Sequence, residues 1–164
     1  LDMGLRLERA VYLCTLLDAT LRLPESENPS VLEAILEVVD NSITFRSRYN
    51  LLPHVPAVFD LVLLDDKNPR SVLFQINQLA KHFRHLPQER EGADSGKNIL
   101  QECAARLNRT DARELASKPE TWPDTEVSEA IRQTLRDLPR LSDAIAASYF
   151  AHSAISRTGR EIAP

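Results

Sequence analysis

The sequence predicts an all-α fold, an irregular and mainly antiparallel bundle of six to eight helices. Three observations carry this expectation. Apolar residues recur at spacings of three and four along most of the chain, as on a buried helix face. No segment sustains the alternation of a half-buried strand. Glycine occurs only 4 times in 164 residues, too rarely for the many tight turns of a β-rich fold. The connections between the periodic segments are mostly short, which favours antiparallel neighbours.

The first stripe is Met3, Leu7, Ala10, Cys14, Leu17 and Leu21, widened by Leu5, Leu13 and Leu16, so this helix is expected to be covered on more than one side. It stops before Pro24. Asn28 then offers an N-cap, with Pro29 at the first helical position. Two adjacent stripes follow. One is Val31, Ile35, Val38, Ser42, Phe45 and Tyr49, and the other is Leu32, Leu36, Val39, Ile43 and then Arg46. Pro53 and Pro56 punctuate the chain, and a short apolar helix spans Pro56 to Leu64. Asn68-Pro69 repeats the cap-then-proline signature before the stripe Val72, Ile76, Leu79, Phe83 and Leu86, which ends at Pro87.

Gln88 to Gly96 is polar and charged and is expected to be an exposed loop. A helix from Lys97 to Leu107, with Ser95 as its cap, and a short one from Asp111 to Ala116 come next. Asp124 or Thr125 opens the last long helix. There Val127, Ile131, Leu138, Leu141 and Ile145 hold one phase across Pro139, which favours a kinked continuation over a break. Residues 1–155 read as one domain, and the polar segment 156–164 as a frayed tail.

Composition narrows the function classes. The net charge is −4 with both signs interspersed, which argues against a basic nucleic-acid platform. No run of about 18 apolar residues marks a membrane span. The only cysteines, Cys14 and Cys103, lie within helical patterns and read as buried, reduced thiols, which fits a cytoplasmic setting. The chain opens Leu1-Asp2-Met3 and suggests a piece of a longer protein.

Metal or cofactor chemistry is not expected. His82 and His85 stand three apart on one helix, but no acid lies within one turn of them there and no third ligand is evident. Asp65-Asp66 precede a helix, where acids are favourable. His54 and His152 are isolated. No nucleophile elbow, glycine-rich phosphate loop, CxxC or HExxH occurs.

The arginines are the informative residues. Arg46 takes the next position on an apolar stripe, Arg48 stands close by, and Arg70 falls in an expected first helical turn, where positive charge is unfavourable. A guanidinium on such a face requires a carboxylate, a carbonyl or a ligand anion. Glu8 is the candidate carboxylate. Three readings stay open: a buried network that locks the helices together, a pocket where these arginines meet a carboxylate or phosphate, or simple solvated arginines.

The same residues resemble a known family. Met3-Gly4-Leu5-Arg6-Leu7-Glu8-Arg9-Ala10, with Leu16-Leu17-Asp18, looks like the ER motif of the Alpha-E domain, an all-helical bacterial domain. Ser42 to Tyr49 resembles its arginine-tyrosine segment, Asn68-Pro69-Arg70-Ser71-Val72 its most recognisable signature, and Ile145 to Phe150 its C-terminal helix. The family often has arginine where this chain has Leu5, and its domain is about twice as long, so the resemblance is to a C-terminal half.

The resemblance implies a setting. Alpha-E domains occur fused to, or beside, ATP-grasp ligase-like and transglutaminase-like proteins, which suggests formation or modification of peptides or amide bonds. It implies an accessory domain that is not catalytic alone, and it carries no catalytic residues across. Glu8, Arg9, Arg46, Arg48, Tyr49 and Arg70 are the candidate polar-network or anion-binding residues. Self-association is a further expectation, as a way of covering apolar surface left by a missing half.

Overall fold

In the computed structural model the described residues are 2–85 and 93–158, with side-chain surroundings described for 2–85 and 95–147. Their regular elements are all helices, with no strand among the described residues. Helix α1 (Asp2–Arg22), α5 (Val72–Arg84), α6 (Ala93–Arg109) and α7 (Glu126–Thr158) form the central bundle. Helices α1 and α6 each pack against both α5 and α7. Helices α2 (Pro29–Val38) and α3 (Ser42–Tyr49) lie to one side. Helix α4 (Val55–Phe59), which widens into a π-helical turn at Asp60–Leu64, packs on a 3-10 turn at Ala112–Ala116, and a second 3-10 turn at Pro119–Asp124 packs against α7 and α1.

The expected stripes form the core. Met3, Ala10, Cys14, Leu17 and Leu21 are buried, as are Val72, Ile76, Leu79 and Phe83, and Val127, Ile131, Leu138 and Leu141. Both cysteines are free and buried. Burial pushes the Cys14 thiol up, and burial together with the Asp137 charge raises Cys103 to about 12, so neither is a nucleophile at neutral pH. Helix α7 runs through Pro139 without ending, as the preserved phase predicts. No helix among the described residues is long and apolar enough to cross a membrane.

Three expectations need correction. The stripes from Val31 to Tyr49 belong to two helices, because α2 stops at Val38. Its end is a Schellman motif: Asp40 N–H donates to Glu37 O (3.0 Å), and Asn41 N–H to Leu36 O (2.7 Å). Asp40 takes the left-handed position with φ 54°. The break turns Val38 and Ile43 outward, Ile43 being 83% exposed.

The second correction concerns Asn68. It is not a helix cap, since Ser71 caps α5 through a bond from Phe74 N (3.0 Å). Arg70 therefore lies in the turn before the helix. The third concerns Ser95, which lies inside α6, because that helix already begins at Ala93. Most of the expected 88–96 loop lies outside the described residues. Helix α7 is described to Thr158, and 159–164 lie outside the described residues.

Gly96 sets how closely α5 and α6 approach. A Cβ there would stand 2.6 Å from Cζ of the fully buried Phe83 ring. Gly96→Ala is expected to destabilise the fold by about 1–3 kcal/mol, despite the higher helix propensity of alanine. Chemical denaturation checks this; a stabilised variant would show that the two helices can move apart freely.

Candidate functional site

The segment Asp65–Ser71 is the polar hub of the molecule. Asn68 is buried at its centre. Its Nδ2 donates to Asn41 Oδ1 (3.0 Å) and to Leu61 O (2.9 Å), and its Oδ1 accepts from the Arg70 backbone N–H (3.0 Å). One side chain thus ties the α2–α3 turn and the π-helical turn to the entry of α5. Gln75, also fully buried, donates to Pro69 O (2.7 Å) and accepts from Arg6 on α1 (3.4 Å). Ser71 Oγ donates to Asp65 O.

Arg48 and Arg70 find carboxylates, but not the expected one and not in the interior. Arg48 pairs with Asp65, which raises the Arg48 pKa. Arg70 pairs with Asp40, both side chains being exposed, at 45% and 78%. Tyr49 donates to Asp60 Oδ2 (2.7 Å) and stacks on Phe45 with ring centroids 4.8 Å apart. Burial, with Asp60 adding to it, raises the Tyr49 hydroxyl pKa.

Glu8 and Arg46 do not meet. Both are exposed, and neither side chain has a hydrogen bond or ion pair among the described residues. Arg46 borders a small hollow of about 160 Å³ with Glu33, Ser42 and Phe45. The physical reason is the break after α2. Once the helix stops, the stripe that seemed to carry Arg46 inward no longer shares a face.

The motif pair Glu8-Arg9 is split instead. Successive residues on a helix point about 100° apart. Arg9 lines a cleft of about 450 Å³ with Tyr12, Leu13, Val38, Val39, Asp40, Pro69 and Arg70. Glu8 lines a groove of about 470 Å³ on another flank of α1 with Leu7, Val11, Tyr12, Thr15, Leu138, Pro139 and Ser142. Of the six sequence candidates, Arg9 and Arg70 share a hollow.

Sequence reasoning missed a second network. Asp137 on α7 is 2% exposed. It accepts from Arg106 Nη2 (2.9 Å) and from Arg140 Nη1 (3.1 Å), while Arg106 also reaches Thr134 Oγ1 (3.4 Å). This network joins α6 to α7 and borders none of the three hollows described. At the α1 N-terminus, Asp2 accepts from Arg6 Nε (2.8 Å) and contacts His82 Nε2 (2.6 Å). The bond from Arg6, and then His82, holds the Asp2 carboxyl below its usual range. Among the described residues no group of His, Cys, Asp and Glu is placed to hold a metal.

A helical bundle whose polar hub is an Asn-Pro-Arg-Ser turn, with a Glu-Arg pair on its first helix, defines a class of all-α domains. The chain belongs to the Alpha-E family, described as a predicted alpha-helical domain with a conserved ER motif, which it matches over residues 1–150. It is similar to an uncharacterized protein of Mycobacterium bovis and to uncharacterized proteins of two Mycobacterium tuberculosis strains. Each is 30% identical over 154 residues, covering 92% of this chain. The chain spans only 17% of the length of those relatives. No solved structure matches it significantly.

Proposed function

We propose that this chain is a non-catalytic helical accessory domain that works with an ATP-grasp ligase-like partner in forming or modifying peptide or amide bonds. A transglutaminase-like protein is a further partner in the same setting. The family supports this reading. So does the length of the relatives, in which a stretch like this one is a small part of a much longer polypeptide.

The observation that carries the reading is the groove between α1 and α7. Its walls are mainly apolar, and Val11 and Tyr12 remain exposed there, at 38% and 50%, with Glu8 among the lining residues. Apolar surface edged by polar groups is how a protein-binding face looks before it is covered.

The test is co-purification with the ligase-like partner, combined with its ATP turnover. Val11→Glu places a charge in the groove and is expected to weaken association by about 2 kcal/mol, roughly thirtyfold, with folding unchanged. A partner that neither co-purifies nor changes its turnover would end this proposal. A second reading, a pocket for an anionic ligand contributing to an active site, is favoured by Arg9 and Arg70 lining one cleft.

A further inference from the structure

We infer that the cleft between α1 and the Asn68–Ser71 turn binds a peptide carboxylate, held between the Arg9 and Arg70 guanidiniums once Asp40 releases Arg70. This rests on the anion-pocket reading and names its ligand; it does not depend on the ligase-like partner.

Charge selects the ligand. The charged groups lining the cleft are Arg9, Arg70 and Asp40, so one positive charge is in excess. A carboxylate balances it, whereas a phosphate dianion overshoots. The Arg9 side chain makes no hydrogen bond or ion pair among the described residues, leaving its forked donors for an occupant. The remaining walls, Tyr12, Leu13, Val38, Val39 and Pro69, suit the carbon skeleton of a peptide end or an acidic side chain. The volume, about 450 Å³, is that of a small-ligand site.

Two features make the site built rather than incidental. The Arg70 backbone is fixed by the buried Asn68, so its guanidinium projects from a rigid base. Asp40 occupies the left-handed position of the Schellman motif, where glycine fits best. An acid kept there lies against Arg70. Exposed ion pairs of this kind are weak, so a second carboxylate competes readily for Arg70. Asp40 then acts as an internal stand-in for the ligand, occupying Arg70 while the cleft is empty.

The stand-in role predicts a change of unusual sign. The intact chain is titrated calorimetrically with four probes. These are an N-acetylated tripeptide with a free C-terminus, the same peptide amidated, an amidated peptide with one glutamate side chain, and inorganic phosphate. One or both carboxylate peptides are expected to bind, and the neutral amide not. Whichever of the two binds identifies the source, chain terminus or side chain.

Arg9→Gln and Arg70→Gln should each weaken binding by about tenfold or more. Asp40→Asn should strengthen it, because asparagine tolerates the left-handed backbone while the competing charge is gone. Weaker binding by Asp40→Asn, or equal binding of the carboxylate and the neutral amide, overturns the inference. Phosphate bound with both carboxylates refused overturns it but leaves the anion pocket standing. No anion bound at all removes both.

Discussion

Asn68→Ala is expected to cost on the order of 3 kcal/mol and to lower Tm by about 6–12 °C in a chain of this size. The substitution removes little apolar packing. Its cost comes from three polar atoms that lose their partner together: Asn41 Oδ1, Leu61 O and the Arg70 N–H. Asn41 and Asn68 are both buried, so water does not readily replace the bonds. Asn68→Asp separates this account from simple loss of a side chain. It keeps an acceptor for Arg70 N–H but turns a negative oxygen towards two acceptors. It should therefore be at least as damaging as alanine. A urea titration measures both; an Asn68→Asp variant close to wild-type stability would show that the hub does not hold the turn.

Arg106→Ala is expected to cost about 3 kcal/mol, the low end of the range for breaking a buried pair. The reason is the acid left behind. Asp137 would lose its 2.9 Å partner and keep the weak donor Cys103 Sγ (3.5 Å) and Arg140, whose side chain is 63% exposed. Replacing both members, Arg106→Met with Asp137→Leu, should cost less than the single change, because no charge then remains to be solvated. Equilibrium denaturation of the two variants decides this. A double variant clearly worse than the single one would mean that the pair contributes more than its own solvation demands.

Much of the fold was legible because a 3.6-residue period is a property of sequence. The stripes of α1, α5 and α7 became the core, and the phase held across Pro139. What could not be read was the break at Asp40. Helix ends usually announce themselves with glycine or proline, and here an aspartate takes the left-handed position. Ser42, Phe45 and Tyr49 happen to continue the old phase, so the stripe concealed the interruption. Everything inferred about a buried Arg46 followed from that one missed turn.

The site was legible in part. Arg9 and Arg70 were singled out, and they line the same cleft. The Asp40 partner of Arg70 stands thirty residues away in the chain, a pairing that no local spacing reveals. The Asp137 network had a signal that was overlooked. Ala130, Thr134, Asp137, Leu141 and Ala144 form a helical stripe, all of it buried, with an acid in its middle. The reasoning applied to arginines on apolar faces would have found it.

Tyr12 is a wall common to the Arg9 cleft and the Glu8 groove. An aromatic side chain has few rotamers, so an occupant that settles the ring on one flank of α1 also reshapes the other flank. Linkage then works in both directions: by whatever factor a bound protein changes carboxylate affinity, the carboxylate must change protein affinity equally. The adjacent letters of the Glu-Arg motif would then address two ligands that report on each other through one phenol ring.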